Sequence, residues 1–409
     1  MGKIKRWQKA LCGAAVLVVI AAFGFMGVEK FSPQERSLRI VEDVSAPMTF
    51  NDTDLDIKAK AAVLIDGSSG KVLYAQNDKK HLPPASVTKV MTLLLVMEAC
   101  DSGKISLDDK VTVSDRAAGM GGSQMYMEAG EQHTVEEILK GVIMVSANDG
   151  CVALAEYVSG SVENFVSDMN KRADKMGLNN SNFVNTNGLP VADHYSCAYD
   201  IGMISAELMK YKEARKWFTT WQEDIQVGLP GKKSKFTLTN TNKLIKAYTG
   251  AIGVKTGYTD DAGYCLSGAA ERDGTLLIGV VLGCETSDIR FGEMVRLLDY
   301  GFGKYETVNV AEEGKKVKKV NIEKGTSNYL CAVPKDDIKI TVSKGERKNI
   351  KRKVVIDKVG LPVKKGERVG TIEVTAPDGT VSKHVLVADR KVDRASFKEI
   401  YIRMLKEIL

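Results

Sequence analysis

The chain has 409 residues, of which 44% are hydrophobic and 27% charged, and its net charge is +6. This length exceeds one typical domain, and the composition excludes a disordered or collagen-like chain. The seven cysteines and four histidines lack metal-ligand spacing, and the lysines that concentrate after residue 310 have no interleaved aromatic residues, so we expect no metal, no cofactor and no nucleic-acid partner.

Residues 1–30 combine a basic start, MGKIKRWQK, with an uncharged apolar stretch at residues 10–28. This order is typical of a signal peptide or of a single membrane anchor, which needs about 20 apolar residues. Both alternatives stay open, and both carry the rest of the chain out of the cytoplasm. We therefore expect an exported, extracytoplasmic protein that is membrane-associated or faces the cell wall. Residues 31–56 are polar and unpatterned, and we interpret them as a linker.

Residues 57–305 show strand patterns, then helical patterns, then strands again. The stretch AKAAVLIDGSSGKVLYAQ at residues 59–76 predicts a β-hairpin. Helical patterns extend from residue 86 to about 215, and strand patterns return at residues 253–284, before a closing helix. This order predicts a layered α/β domain.

The remaining chain differs in kind. Residues 306–391 contain short alternating runs broken by Gly, Pro and Asp-Gly turns, which predicts a small all-β domain. Residues 392–409 place apolar side chains at helical intervals opposite charged ones, which predicts an amphipathic C-terminal helix. Such a helix can lie on a membrane surface or pack on the β domain, and these alternatives stay open.

A serine and a lysine stand three residues apart in PPASVTK, where an apolar helix pattern begins. Because positions i and i+3 share one helix face, the Lys89 amine can reach the Ser86 hydroxyl. A serine needs an adjacent base to become a nucleophile at neutral pH. A lysine can be that base only if burial or a second cation lowers its pKa from about 10.4. The pair therefore predicts an activated serine.

Two further motifs follow. Ser146 and Asn148 occur in VSANDG after an apolar run, and Lys255, Thr256 and Gly257 open a strand pattern. The order Ser-x-x-Lys, Ser-x-Asn, Lys-Thr-Gly is that of penicillin-binding proteins and class A β-lactamases. A single motif of this kind can arise by chance in a chain with this many lysines. All three motifs, in this order and in matching structural settings, are not expected by chance.

On these motifs, and on NTNGLPVADHYSCAYD, LTNTNKLI and RLLDYGF, residues 57–305 resemble the low-molecular-mass penicillin-binding proteins, which are the serine-type D-alanyl-D-alanine carboxypeptidases of bacterial cell walls. The resemblance implies a transpeptidase/β-lactamase-like domain, with an antiparallel sheet and a helical lobe, followed by a small all-β domain. It also implies removal of the terminal D-alanine from peptidoglycan stem pentapeptides through an acyl-serine intermediate, and acylation by β-lactam antibiotics.

The same resemblance implies roles for individual residues. Ser86 is implied as the nucleophile, Lys89 as its base and Ser146 as the relay of a proton to the leaving amine. The backbone N–H groups of Ser86 and Tyr258 are implied as the oxyanion hole. The implied substrate-binding residues are Asn148, Lys255, Thr256, Gly257, Tyr258 and Arg290.

Two other function classes use the same motifs. A β-lactamase also needs a carboxylate that activates the deacylating water; Glu163 is the best-placed candidate, but its pattern is that of a helix surface. A non-catalytic penicillin-binding or wall-binding protein is the third class. We expect the carboxypeptidase, and we interpret His194 as a structural residue of its loop and not as a member of a catalytic triad.

Overall fold

The computed structural model of the chain describes residues 55–408. The predicted signal peptide or anchor at residues 1–30 and nearly all of the predicted linker at residues 31–56 lie outside these described residues. Within the described part, no helix has the length and apolar character needed to cross a bilayer.

The elements of the first domain follow one another along the chain up to residue 304. They are β1 (Ala61–Asp66), β2 (Val72–Gln76), a 3₁₀ turn (Ala85–Thr88), α1 (Lys89–Asp101), β3 (Lys110–Thr112), α2 (Asp115–Ala118), β4 (Gln132–Thr134), α3 (Val135–Met144), α4 (Asn148–Ser159), α5 (Val162–Lys175), α6 (Ala198–Leu208), α7 (Lys212–Thr219), β5 (Gln222–Val227), β6 (Ser234–Thr239), α8 (Leu244–Ala247), β7 (Ala251–Thr259), β8 (Gly263–Arg272), β9 (Thr275–Cys284) and α9 (Ser287–Lys304).

The central sheet is antiparallel and has the strand order β2-β1-β9-β8-β7, so that β7 is an edge strand. All ten residues of β9 are buried because helices cover both faces of the sheet. Ile278 and Val280 enter the core beneath α6, whereas Leu277 and Val281 enter a second core beneath α9. This alternation explains why the β9 sequence is apolar after its first residue, Thr275.

The helical lobe is built around α1, which is buried on nearly all sides because its sequence is an almost continuous apolar run. A capping box between Thr134 and Glu137 starts α3, which leads to the Ser146 loop and then to α4. Helices dominate residues 86 to about 215 as predicted, and the short strands β3 and β4 also pair within that range.

Two antiparallel sheets form the second domain, and the predicted all-β domain is confirmed. The sheets have the orders β10-β13 and β11-β12-β16-β15-β14. Their strands are β10 (Tyr305–Ala311), β11 (Lys318–Asn321), β12 (Tyr329–Pro334), β13 (Ile338–Ser343), β14 (Lys351–Ile356), β15 (Arg368–Thr375) and β16 (Val381–Ala388).

A final helix, α10 (Phe397–Ile408), follows the second domain, where an amphipathic helix was predicted. Phe397 is 85% exposed, and Tyr401 and Ile402 are also exposed. Packing on the β domain, one of the two alternatives for this helix, therefore does not cover these three side chains.

Candidate active site

The serine of the first motif lies in a tight turn that the surrounding backbone holds in place. Ser86 belongs to the 3₁₀ turn that precedes α1, and Ala85 has a φ of +49°, in the left-handed region. Gly188 packs against this turn, and a Cβ there would lie 1.8 Å from the Ala85 carbonyl oxygen. Only glycine permits this approach, so the turn and the Gly188 loop have a fixed relative position.

The lysine of the first motif points at the serine. The Lys89 Nζ donates to Ser86 Oγ at 2.8 Å and to the Asn187 carbonyl oxygen at 2.7 Å. The side chain is fully buried, and burial lowers the pKa of Lys89 from its ordinary 10.5 to about 8, against smaller raising effects of Cys151 and Asp149. The contact and the lowered pKa are those expected from the spacing and the apolar setting.

Two buried polar atoms of the second motif have no hydrogen-bond partner among the residues that the structure describes. Ser146 has a φ of +64°, and its buried Oγ has no hydrogen-bond partner within residues 55–408. Asn148 opens α4, and its Nδ2 donates to the Gly121 carbonyl at 2.7 Å. The buried Oδ1 of Asn148 likewise lacks a partner among the described residues. Buried polar atoms are normally paired, so these two are available to a bound molecule.

The third motif lies on the edge strand β7. Lys255 is buried, and burial together with the positive charge of Lys89 holds its pKa well below the ordinary value. Its Nζ donates to the Thr256 carbonyl at 3.0 Å, and Thr256 Oγ1 pairs with Thr241 Oγ1 at 2.9 Å. Burial, one of the two causes named from the sequence, therefore accounts for the lowered pKa of Lys89, and the positive charge of Lys89 in turn disfavours protonation of Lys255.

Gly257 brings β7 directly against the serine turn. A Cβ on Gly257 would lie 3.0 Å from both the Ser86 and the Val87 backbone nitrogens and 3.1 Å from the Pro84 carbonyl oxygen. These are rigid backbone atoms, so the absence of a side chain sets the separation between the nucleophile and the strand.

The two remaining candidates flank this strand. Tyr258 is about half exposed; its hydroxyl donates to Asp260 Oδ1 at 2.8 Å, and its ring packs on that of Tyr264. Arg290, on α9, is buried and donates to the Gly257 carbonyl at 3.2 Å. Its guanidinium therefore adds a fixed positive charge behind the Lys-Thr-Gly segment.

One buried acid beside these motifs was not predicted from the sequence. The Asp149 carboxylate is fully buried and accepts N–H groups from Met125, Met127 and Gly150 at 2.9 to 3.3 Å. Burial raises the pKa of Asp149, and these backbone hydrogen bonds oppose the rise. The only sequence signal was an acidic residue in the first turn of a helix, which is common on solvated helices.

His194 and Glu163 lie in settings that fit the interpretations given above. His194 is buried, accepts the Val184 N–H at Nδ1 (3.0 Å) and therefore donates from Nε2 to Thr88 Oγ1 (2.8 Å), so it ties its loop to the serine turn. The Glu163 side chain is 68% exposed and pairs with Arg116 at 2.7 Å on the helix surface. No group of three or more potential metal ligands occurs in the part of the chain that the structure describes.

The chain is similar in sequence and in structure to a known family of proteins. Residues 46–286 match the D-alanyl-D-alanine carboxypeptidase family (peptidase S11), and residues 305–394 match the C-terminal domain of penicillin-binding protein 5. The chain belongs to the D-alanyl-D-alanine carboxypeptidase family. The family, the fold class and the enzyme class predicted from the sequence are thereby confirmed: this is a serine-type carboxypeptidase fold with a trailing β domain.

Individual members of the family match over most of the chain. The D-alanyl-D-alanine carboxypeptidase DacF of Bacillus subtilis is 41% identical over 84% of this chain and 88% of its own length. DacC of Escherichia coli is 33% identical over 83% of this chain and 86% of its own length. The crystal structure of penicillin binding protein 5 from Haemophilus influenzae superposes with a TM-score of 0.68 at 33% identity, covering 85% of this chain and all of that one.

The carboxypeptidase family acts on peptidoglycan outside the cytoplasm, and its members bind β-lactams. An extracytoplasmic location and a peptidoglycan substrate, both expected from the sequence, agree with this membership.

Proposed function

We propose that Ser86 is the nucleophile of this carboxypeptidase. Its Oγ attacks the carbonyl carbon of the penultimate D-alanine, the peptide bond to the terminal D-alanine breaks, and an ester joins the remaining peptide to Ser86. Water then hydrolyses that ester and regenerates the serine. The observation that carries the proposal is the 2.8 Å contact between Lys89 Nζ and Ser86 Oγ inside a buried pocket.

Lys89 takes the proton of the Ser86 hydroxyl as the attack begins. With a pKa of about 8, roughly 9% of the lysine is neutral at pH 7, against roughly 0.03% at the ordinary pKa. The Asn187 carbonyl accepts a second hydrogen bond from the same amine, which keeps Nζ directed at the serine in either charge state.

Ser146 and Asn148 act on the leaving group and on the substrate backbone. The Ser146 hydroxyl gives its proton to the departing amine and regains one from the protonated Lys89, so that D-alanine leaves with a neutral amine. The free Oδ1 of Asn148 accepts a substrate N–H, while its Nδ2 stays tied to the Gly121 carbonyl.

Lys255 and Thr256 hold the terminal carboxylate of the substrate. Burial lowers the pKa of Lys255, and the bound carboxylate favours the charged ammonium again, so substrate binding creates its own ion pair. Arg290 lies behind Gly257 and adds positive potential. The backbone N–H groups of Ser86 and Tyr258 stabilise the oxyanion, at about 3 to 4 kcal/mol for each donor in comparable enzymes.

We also propose that the protein associates with the membrane. The apolar segment at residues 10–28 tethers the protein or directs its export, and α10 adds a surface contact through its exposed Phe397, Tyr401 and Ile402. The catalytic domain then works at the outer face of the membrane, where stem peptides are accessible.

The direct test is release of D-alanine from a diacetyl-lysyl-D-alanyl-D-alanine tripeptide. We expect turnover by the wild-type enzyme, none by Ser86→Ala, and wild-type turnover by Ser102→Ala, which alters an exposed serine at the end of α1. Equal turnover by Ser86→Ala and wild type contradicts the assignment. Penicillin hydrolysis without D-alanine release favours the β-lactamase alternative.

A further inference from the structure

A strongly basic segment lies at one edge of the β domain. Residues 344–353 contain six lysines and arginines against a single acid, Glu346. The segment runs from the turn after β13, through a 3₁₀ turn (Arg347–Asn349), into the edge strand β14. Its positive charge is therefore concentrated over one short length of chain.

Two of these six cations have protein partners. Arg352 donates to the Val310 carbonyl at 2.9 Å, and the Lys353 amine lies 4.0 Å from the Glu373 carboxylate. The side chains of the other four are exposed and form neither a hydrogen bond nor an ion pair with any residue that the structure describes. We define these four as the basic corner: Lys344, Arg347, Lys348 and Lys351. Because like charges repel, a bound anion relieves the repulsion among them.

Protection of a sheet edge does not account for the whole basic corner. Lysines on an edge strand prevent that strand from pairing with another sheet. Lys351 stands on β14 and can have this role. Arg347 and Lys348 lie in the 3₁₀ turn before the strand, where there is no edge of a sheet to protect. Their charge therefore has another cause.

The basic corner lies diagonally across the sheet from the start of α10. β14 is one edge strand, whereas the Ala395 N–H, just before α10, donates to a carbonyl in the turn beside the opposite edge strand, β11. Lys351 pairs with Thr375 at the end of β15, whereas Val392 pairs with Val363, which precedes β15. Four strand spacings amount to about 19 Å, and the eight residues of β15 to about 26 Å. A bilayer that α10 contacts therefore lies far from the basic corner.

We propose that the basic corner binds a linear polyanion of the cell wall that carries phosphodiester groups along its chain. Exposed cations hold a single phosphate weakly, whereas linked phosphates that release their counterions together bind far more tightly. The guanidinium of Arg347 adds a planar fork that matches two phosphate oxygens. The Lys344 N–H donates to the Lys304 carbonyl at 2.9 Å, at the end of α9, so a bound polymer keeps the catalytic domain close to the wall.

Binding of a fluorescent poly(glycerol phosphate) to the full-length protein in nonionic detergent tests this inference. The triple variant Arg347→Gln, Lys348→Gln, Lys351→Gln removes three charges of the basic corner. We expect its Kd to be about tenfold higher than that of wild type at about 50 mM salt. The slope of log Kd against log salt concentration should also fall by about 2, because each phosphate contact on a flexible strand contributes about 0.7.

A second triple variant, Lys316→Gln, Lys364→Gln, Lys365→Gln, is the matched control, because it removes three exposed charges elsewhere on the same domain. It should bind the polymer as wild type does. Equal weakening in the two variants assigns the binding to net charge and overturns the inference. Absence of saturable binding to wild type overturns it as well.

Lipid headgroups are the other source of phosphodiesters, and anionic micelles distinguish them from the polymer. Inclusion of phosphatidylglycerol in the detergent micelles should leave the wild-type Kd for the polymer within about twofold at about 0.15 M salt, where charges more than about 8 Å apart are largely screened. Displacement of the polymer from wild type by these micelles shows that the basic corner contacts lipid, and it overturns the inference.

Discussion

The pH dependence of acylation gives a quantitative test of Lys89 as the base. Only the neutral amine accepts the Ser86 proton, so the acylation rate constant should rise about tenfold per pH unit below the Lys89 pKa of about 8 and level off above it. Relative to a lysine at its ordinary pKa, burial increases the neutral fraction at pH 7 by about 300-fold. A fluorescent penicillin, followed by stopped flow from pH 5.5 to 9.5, measures this profile.

Asp149→Asn perturbs the same profile in a known direction. The negative charge of Asp149 raises the pKa of Lys89, so its removal should move the rising limb of the profile to lower pH, whatever happens to the maximal rate. Asp115→Asn is the control, because Asp115 is also an acid in the first turn of a helix but is exposed and is not among the groups that shift the pKa of Lys89. A wild-type profile that stays flat between pH 6 and 9 refutes Lys89 as the base. A shift of the limb to higher pH in Asp149→Asn refutes the electrostatic argument.

Three further predictions concern other parts of the chain. Gly257→Ala forces β7 away from the serine turn. We therefore expect the acylation rate constant to fall about a hundredfold and the free energy of unfolding to fall by about 1 to 3 kcal/mol. An unchanged acylation rate constant contradicts the close packing of Gly257 on the serine turn. Burial lowers the pKa of His194 from 6.5 to about 4, so the unfolded chain binds its proton first as the pH falls, and about 2 to 3 kcal/mol of stability should be lost between pH 7.5 and 4.5 in urea titrations; an equal loss in His194→Gln contradicts this origin. Removal of residues 393–409 from a form lacking residues 1–30 should lower its binding to anionic phospholipid vesicles, and undiminished binding argues against α10 as a surface contact.

The fold and the contact between Lys89 and Ser86 were predictable from the sequence, because each depends on a pattern of residues that are close together along the chain. Apolar periodicity marks the helices and the buried strands, and the spacing of Ser86 and Lys89 alone places an amine beside a hydroxyl. The strand pair β3–β4 and the hairpin β5–β6 were missed. Their strands have only three or six residues, and their polar side chains face solvent, which leaves little alternation to detect.

The supporting parts of the site were not predictable because they act through backbone atoms or depend on tertiary burial. The Asn187 carbonyl that orients Lys89 belongs to a peptide group that every residue has. The left-handed conformations of Ala85 and Tyr126 run against the preferences of their own side chains and are imposed by packing partners distant in sequence. The sequence does not identify Asp149 as a residue that supports the site. That role is visible only in the structure, where its buried carboxylate accepts the N–H groups of Met125 and Met127.

The most direct test of the account is the intact mass of the protein after brief mixing with a penicillin, for wild type beside Ser86→Ala, with drug consumption followed in parallel. We predict a persistent adduct of one drug mass on wild type and none on Ser86→Ala, since the Ser86 ester is the only covalent link that the mechanism forms. An adduct of equal yield on Ser86→Ala, or folded wild-type protein that neither binds nor consumes the drug, contradicts the assignment of Ser86 as the nucleophile.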